Sequence, residues 1–436
     1  MKLTVFQSAD GDCLLLRGAD GRTILVDGGR PESYSQHVAP SVAAMRKQGN
    51  GLDVIYVSHI DADHITGVLQ LLDDEVAWRV HEFQLANGNA SHKKPAAPRP
   101  PEVRGIWHNA FHEQTGLNTQ EIEDMLAASA RVLLGASDPK LRRTGEDHAN
   151  LASSVRQAIQ VSRRIGDEQL RIPLNEPAAG KLMLVRDDAS SFLLGGMRLS
   201  IIGPFKADLD RLRGEWNDWL EANTVSLKAL GEEARRDEER LAGTGVDSIA
   251  RPLAILAAEL GRRDKVTAPN LASLMLYVEE GTRSILLTGD GHCADILKGL
   301  EHAGKLDNGG TIHVDVLKVQ HHGSEHNTDA PFCRRVTADH YVFCGNGEHQ
   351  NPDLAIVKCF IDSRIGPVDL RSTNPKANRP FKLWFNSSSQ VLTQQNESAN
   401  RTHMRAVEQM VEDAAAMSGG RLRFQFLQNS KVTLTV

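Results

Sequence analysis

Four side chains of the kinds that bind metal ions stand within six residues of one another. They occur in the segment SHIDADHITG and are His59, Asp61, Asp63 and His64. Residues two apart in an extended chain point to the same side, so His59 and Asp61 can converge on one cation. Asp63 and His64, where a helix is expected to begin, can turn toward a second cation. The spacing therefore predicts a site for two divalent metal ions.

A purely structural interpretation competes with the metal site. A polar loop with an N-cap aspartate would explain Asp61 or Asp63 alone, but not four ionisable side chains at this spacing. Asp290, in the segment TGDG, is by itself more typical of a turn. The pair His321 and His322 could equally be held by backbone carbonyls at the end of a strand.

Three further side chains are weaker candidates for a catalytic or metal-binding role. Asp27 precedes two glycines and is expected to orient a ligand loop by hydrogen bonding rather than to bind a metal. His349 could contact a substrate, although a single histidine in a loop is more often simply exposed. Ser324 has no adjacent base that would activate it, so it is not expected to act as a nucleophile.

The elements that must position these residues are typical of an α/β protein. The first 30 residues read as three strands, LTVFQ, CLLLRG and TILVDGG. The apolar strand DVIYVS (53–58) leads to His59, and a helix is expected from about Ile65 to Leu72, which gives a strand, a polar loop and a helix. Later strands (SLMLYVEE, RSILLTGD, IHVDVLKVQHH and YVFCGN) alternate with helices near 292–304 and 352–363. Strands near 381–393 and 422–435 complete the sheets.

The chain is expected to form one domain over residues 1–436, with two insertions. The first insertion, at about 75–190, contains the proline-rich segment KKPAAPRPPEVR, which favours an exposed loop, and helical segments near 119–135 and 148–164. A short strand, GGMRLSIIG, then returns to the sheet. The second insertion, at about 205–265, is predicted to be a solvated helical hairpin because EEARRDEERL pairs opposite charges at helical spacing.

Composition narrows the class of protein. No stretch approaches the roughly 18 apolar residues of a membrane span, and the five cysteines are scattered, which favours a soluble cytoplasmic protein without membrane contact. The formal net charge of −6 gives no general attraction to nucleic acid. Binding of nucleic acid would therefore depend on the metals and on local cations, for which the candidates are Lys318, Lys93, Lys94 and Arg104.

The segment SHIDADHITG resembles the HxHxDH signature of the metallo-β-lactamase superfamily, with aspartate in place of the second histidine. In this form it is similar to the metallohydrolase domain of the ComEC DNA-uptake proteins and their stand-alone relatives. Four other segments match in order: ILVDGG (24–29), NLASLMLYVEEGTRSILLTGD (270–290), DVLKVQHHGSEHN (315–327) and GNGEHQNP (345–352). The resemblance implies an αββα sandwich with helical insertions.

The resemblance also implies a distribution of ligands between two metal ions. His59 and Asp61 would hold one ion and Asp63 and His64 the other, with Asp290 bridging the two ions. Either His321 or His322 would complete the second site, and Asp63, Asp290 and His322 are the residues expected to act in catalysis. A histidine that usually precedes the bridging aspartate is replaced here by Asn270. This weaker neutral ligand, with Asp61, shifts the expected preference from zinc toward manganese.

A metal-dependent hydrolase is the function that the resemblance implies. Most specifically, it implies a nuclease that cleaves nucleic-acid phosphodiesters with a metal-activated hydroxide, and DNA is the expected substrate. A hydrolase of small-molecule or lipid phosphoesters is the alternative within the same chemistry. A different class is a regulatory module with a vestigial metal site, whose helical insertion binds a partner. Stand-alone relatives occur in bacterial defence modules, some beside a protease gene, so a regulatory protein or protease is a possible partner.

Overall fold

The computed structural model describes residues 1–109, 156–187, 191–207, 209–210 and 273–436, together with Glu146, Ala149 and Ser153. Within these ranges two β-sheets pack face to face and helices cover their outer faces. The predicted helix near 119–135, most of the helical hairpin predicted at about 205–265 and most of the first part of the helix near 148–164 lie outside the described residues. No helix in the described ranges is long and apolar enough to span a membrane.

The first sheet combines an antiparallel meander with two parallel strands. Its strands are β1 (Lys2–Phe6), β2 (Leu14–Arg17), β3 (Thr23–Val26), β4 (Val54–Val57) and β5 (Ile106–His108), with β14 (Lys431–Thr435) from the end of the chain. The spatial order is β14-β1-β2-β3-β4-β5. Strands β14 to β3 pair antiparallel, whereas β3, β4 and β5 run parallel. The sheet is therefore mixed.

The second sheet is larger and contains the longer parallel stretch. Its strands are β6 (Ser191–Leu194), β7 (Met197–Gly203), β8 (Met275–Glu280), β9 (Arg283–Leu287), β10 (Ile312–Lys318), β11 (Val336–Phe343), β12 (Phe381–Phe385) and β13 (Leu422–Phe426). They lie side by side in reverse chain order, from β13 to β6. Strands β9 to β13 are parallel, so their carboxyl ends share one edge.

Helices flank both sheets. They are α1 (Ala39–Lys47), α2 (Ala62–Ala86), α3 (156–165), α4 (Cys293–His302), α5 (Ala330–Arg335), α6 (Leu354–Ile365) and α7 (Ser398–Met417). The short helical segments Pro31–Ser33 and Tyr34–Val38 lead into α1. Helices α1 to α3 contribute to the core outside the first sheet, and α4 to α7 to the core outside the second.

Side-chain alternation explains why the central strands are apolar on both faces. In β9, Ile285 and Leu287 pack between the sheets, whereas Leu286 packs against the helices. In β4, Tyr56 faces the other sheet and Ile55 faces the helices. Because neither face of these strands meets water, their sequences read as continuous apolar runs.

The fold class predicted from the sequence is confirmed, but several element boundaries were wrong. Helix α2 continues to Ala86, well beyond the predicted end at Leu72, so the first residues of the insertion expected at about 75–190 are helical. Helix α7 was missed, although Met404, Val407 and Val411 bury one face of it at helical spacing. Within the insertion expected at about 75–190, β5 pairs in the first sheet and α3 contributes to the core outside that sheet.

Two glycines allow the loop after β3 to dock on the first turns of α2. A Cβ atom on Gly67 would lie 2.0 Å from the carbonyl oxygen of Gly28, and one on Gly28 would lie 2.2 Å from the backbone nitrogen of Val68. The backbone nitrogen of Gly28 donates to the carbonyl oxygen of His64 at 2.8 Å. This contact fixes the segment that carries Asp27 against the segment that carries Asp63 and His64.

Replacing Gly67 with alanine should destabilise the protein although Gly67 lies in a helix. Alanine usually stabilises a helix by about 1 kcal/mol relative to glycine, but here its methyl group would collide with the backbone of Gly28. We expect a net loss of about 1–3 kcal/mol in the free energy of unfolding, measured by urea denaturation. Gly105→Ala is the control, because a Cβ at Gly105 meets its nearest atoms at 3.7 Å. A stabilised Gly67→Ala protein would contradict the docking.

Candidate metal centre

The predicted ligands converge where strands of both sheets end. His59 follows β4, Asp290 follows β9 and the histidine pair follows β10. The end of β4 is tied to the second sheet, because the backbone nitrogen of Leu274 donates to the carbonyl oxygen of Ser58 at 2.7 Å. Residues distant in the sequence therefore share one edge of the sandwich.

One group of candidate ligands surrounds His59. The Nε2 atom of His59 lies 3.6 Å from a carboxylate oxygen of Asp61 and 3.6 Å from Oδ2 of Asp290. Ligand atoms of His59, His64 and Asp290 all lie within 4.8 Å of one another. This group has the donors that a divalent cation requires, namely imidazole nitrogens and carboxylate oxygens.

A second group contains Asp63, His64 and His322. The Nε2 atom of His64 lies 3.3 Å from Oδ2 of Asp63, and Nε2 of His322 lies 3.0 Å from the same oxygen. Asp290 faces this group too, with Oδ1 3.5 Å from Nε2 of His64 and Oδ2 3.5 Å from Nε2 of His322. The Asp290 carboxylate thus lies between the two groups.

Because the Nδ1 atoms of three imidazoles form hydrogen bonds, their Nε2 atoms are available as metal ligands. The Nδ1 atom of His322 donates to the carbonyl oxygen of Cys344 at 2.7 Å, and Nδ1 of His64 lies 3.0 Å from an Asp27 carboxylate oxygen. The hydroxyl of Ser58 donates to Asp27, so its oxygen is left to accept from Nδ1 of His59 at 3.1 Å. Each proton on Nδ1 directs an Nε2 lone pair toward the cluster.

Buried ligand atoms without hydrogen-bond partners are consistent with a metal site. Within the described part of the chain, Nε2 of His59, Nε2 of His64 and Oδ1 of Asp290 are buried and lack such partners. Burying a polar atom without a partner is unfavourable. Because these atoms converge, a bound cation would satisfy all of them, and the residues therefore fit a divalent metal ion.

The two adjacent histidines occupy different positions. His322 is buried beside Asp63, whereas His321 is partly exposed and places its Nε2 atom 3.7 Å from Oδ2 of Asp290. The Nδ1 atom of His321 hydrogen bonds to Asn327, whose amide nitrogen donates to the carbonyl oxygen of Asp290. The geometry places His322 inside the second group of ligands and His321 at its margin.

The backbone at the pair is strained. His321 has φ 44° and His322 has φ 56°, both in the left-handed region that residues with side chains rarely adopt. Each such residue costs on the order of 1–2 kcal/mol. Asp27 adopts φ 54° at the end of β3. Strain at three residues that contact the ligand cluster is typical of a functional site.

The electrostatics of the metal-free cluster follow from close opposite charges. Burial favours the uncharged forms, but the surrounding carboxylates outweigh it and hold the pKa values of His64 and His322 well above the ordinary value. Burial would likewise raise the pKa values of Asp63 and Asp290, but the imidazoles hold them well below the ordinary value. Without metal, the protons on the imidazoles thus supply the positive charge that bound cations would otherwise supply.

Two contacts of the cluster were not identified from the sequence. Asp12, in the loop between β1 and β2, lies 3.4 Å from Nδ1 of His322, and it forms an ion pair with Lys318. Lys318 was predicted to provide charge for nucleic acid, but it is buried at the end of β10 and cannot meet a macromolecule. Asp12 lies in a short polar loop with Asp10 and Gly11, and its place beside the cluster becomes evident only from the fold.

The other predicted cations lie away from the cluster. Lys94 lies over the ring of Trp78, which is about 22 Å along α2 from Asp63 at 1.5 Å per residue. Lys93 is its exposed neighbour in the sequence. Arg104 pairs with Asp53, which precedes β4, whereas the ligands follow that strand. The prediction of a basic patch at the site from these residues was therefore wrong.

Two other residues considered from the sequence are His349 and Asn270. His349 is exposed in the loop after β11 and has φ 53°. Asn270, at the position of the missing histidine, lies outside the described residues. Its neighbour in the chain, Ser273, is buried next to Gly289, since a Cβ on Gly289 would lie 3.5 Å from the Cβ of Ser273. The chain therefore approaches the cluster three residues after Asn270.

Comparison with protein families supports the fold. The family model described as Metallo-beta-lactamase superfamily matches residues 9–125, which include Asp12, Asp27 and the segment from His59 to His64. No curated protein matches the chain. The family match, together with the two mixed sheets and flanking helices, supports a metallo-β-lactamase domain. Members of this superfamily are mostly hydrolases, and their fold typically binds divalent metals.

Metal binding should release protons, because the imidazoles facing the cluster hold protons in the metal-free protein. The stability that protonated His64 and His322 contribute is fully present below about pH 6.5, the ordinary histidine pKa, and is lost as pH rises through their raised pKa values. We therefore expect the metal-free protein to lose stability over that range while its affinity for metal rises.

Calorimetric titration with Mn²⁺ in buffers of different ionisation enthalpy measures this release. The control is His349→Gln, which changes an exposed histidine outside the cluster and should release as many protons as the wild-type protein. Binding at pH 7 with no proton release would contradict the electrostatic account.

Proposed function

We propose that the chain is a metal-dependent hydrolase with two divalent cations, and that its substrate is a nucleic-acid phosphodiester. The observation that carries the proposal is the convergence of unpartnered His59 Nε2, His64 Nε2 and Asp290 Oδ1. His59 and Asp61 would hold one cation, and Asp63, His64 and His322 the other. Asp290 would serve both cations, since its carboxylate lies close to His59 of the first group and to His64 and His322 of the second.

The charges of the site support two cations. Among the described residues, five carboxylates, those of Asp12, Asp27, Asp61, Asp63 and Asp290, contact its imidazoles, and the ammonium group of Lys318 contacts two of them. With neutral imidazoles, five negative charges and one positive charge leave a net charge of −4, which two divalent cations would balance. The carboxylate-rich composition of the site favours a hard cation such as Mn²⁺, although Zn²⁺ also fits these ligands.

When bound, such cations lower the pKa of water and stabilise negative charge in a hydrolytic transition state. The residues of the chain perform the positioning. Asp27 and Ser58 hold the imidazoles of His59 and His64, and the Cys344 carbonyl holds that of His322. Asn327 holds both His321 and the backbone of Asp290. The reacting groups would thus be oriented before a substrate binds.

Support for a nucleic-acid substrate comes from the aspartate-substituted signature and from one cation near the site. Arg30 is partly exposed and pairs with Asp10 at 2.6 Å. Burial opposes its charge, but Asp10, Asp63 and Asp61 raise its pKa, so it stays positive beside the cluster. A phosphate that approaches the ligands could meet this guanidinium. The alternative substrate, a small-molecule or lipid phosphoester, uses the same chemistry.

Asp63→Ala and Asp290→Ala should each reduce hydrolysis at least about a thousandfold, a change of about 4 kcal/mol in transition-state stabilisation. Each substitution removes an anionic ligand without opening the hydrophobic core, so the circular dichroism spectrum should be unchanged. The control is Asp369→Asn, which alters an exposed carboxylate elsewhere. Full activity in either alanine variant would rule out the proposed centre.

Parallel assays on supercoiled plasmid, single-stranded oligonucleotides and bis(p-nitrophenyl) phosphate separate the two substrate classes. With Mn²⁺, we expect cleavage of at least one nucleic acid, and we expect Arg30→Gln to weaken that cleavage more than hydrolysis of the small diester. Hydrolysis of the small diester alone, with every nucleic acid intact, would favour the small-molecule alternative.

A further inference from the structure

A buried ion pair lies directly behind the candidate ligands. Asp12 is 1% exposed and Lys318 is 1% exposed, and the two side chains contact each other between the loop after β1 and the end of β10. The loop is held close to the ligands, since a Cβ on Gly11 would lie 1.8 Å from the carbonyl oxygen of Asp63. The pair therefore occupies a fixed position beneath the cluster.

Asp12 faces two imidazoles from the side opposite their free nitrogens. Its Oδ1 atom lies 3.4 Å from Nδ1 of His322, and its Oδ2 atom lies 3.8 Å from Nδ1 of His64. Both Nδ1 atoms carry protons, because one donates to the Cys344 carbonyl and the other lies against Asp27. Asp12, His64 and His322 are close enough to share an ion, but these protons occupy the nitrogens that face Asp12.

Lys318 joins Asp12 to the loop that carries Asp290. Its ammonium group donates to the carbonyl oxygen of Gly289 at 3.0 Å and lies 3.7 Å from Oδ1 of Asp290. One buried charge thus contacts the carboxylate behind the imidazoles, the carboxylate between the two ligand groups, and the backbone next to it. Burial keeps this ammonium group out of reach of any bulky substrate.

We propose that Asp12 and Lys318 are positioning residues that fix the imidazoles of His64 and His322, and the loop of Asp290, for metal binding. The proposal rests on the metal centre described under the proposed function. Carboxylates that contact the outer nitrogen of a metal-bound histidine orient the ring and strengthen its Nε2 as a ligand. Asp12 is placed to do this for two rings at once, and Lys318 balances its charge.

A competing explanation is that the pair only fills space and stabilises the fold. Breaking such a pair by removing one partner leaves an unpaired buried charge and is destabilising, whereas replacing both partners with neutral groups is much better tolerated. The double variant Asp12→Asn/Lys318→Met is therefore the decisive protein. It preserves side-chain size and the net charge of the site, so any change in metal affinity reports on orientation rather than on total charge.

The affinities of the double variant for Mn²⁺ and Zn²⁺ should fall about 10–100-fold relative to wild type. With Co²⁺ as the probe, its visible absorption spectrum should also change, because the ligand geometry changes. The matched control is Arg283→Met/Asp315→Asn, which removes a more exposed ion pair between the start of β9 and the middle of β10. Its metal affinities and Co²⁺ spectrum should equal those of wild type.

A folded double variant with wild-type affinities and a wild-type Co²⁺ spectrum would overturn the positioning role. If the wild-type protein itself binds no divalent cation, the proposed metal centre is rejected. If the wild-type protein and the double variant bind cations equally well, only the positioning role is rejected.

If the double variant does not fold, the proposal can be tested by nitrogen-15 NMR of the histidines in wild-type protein loaded with Zn²⁺. The proposal requires protonated Nδ1 and metal-bound Nε2 in both His64 and His322. Metal bound through Nδ1 of either ring would overturn it.

Discussion

Buried carboxylates of like charge are the constraint on which this structure depends. Asp12, Asp27, Asp63 and Asp290 meet around the imidazole of His64, and such a cluster is unfavourable unless positive charge is placed among them. In the metal-free protein, protonated imidazoles and one ammonium group supply that charge. Divalent cations, if bound as we propose, would supply the same positive charge in a protein whose formal net charge is −6.

The packing of the two sheets holds these charged side chains in place. Parallel strands bring their carboxyl ends to one edge, and close backbone contacts such as that between Gly28 and Gly67 lock the loops of the first sheet onto helix α2. The strained left-handed backbone at His321 and His322 is held by hydrogen bonds that the two rings donate, one to the Asn327 side-chain oxygen and the other to the Cys344 carbonyl oxygen. Packing of both sheets thus supplies the stability that the site itself lacks.

Contacts between residues that are close in the sequence were easier to predict than contacts that only the fold creates. The segment from His59 to His64 could be identified because its donors are adjacent, and the ends of β9 and β10 could be identified because each carries chemistry after an apolar strand. Asp12 has no such context, and Lys318 suggested substrate contact because burial at a strand end cannot be read from one residue. Helix α7 was missed because its buried face is narrow, with only Met404, Val407 and Val411 buried.

Anomalous X-ray diffraction from crystals of the protein soaked in Mn²⁺ or Zn²⁺ tests the central claim most directly, because it locates cations without reference to activity. Two peaks are predicted, one beside His59 and Asp61 and the other beside Asp63, His64 and His322, with the Asp290 carboxylate between them. Absence of any peak at saturating metal, or a peak confined to Asp12 on the Nδ1 side of the imidazoles, would contradict the account.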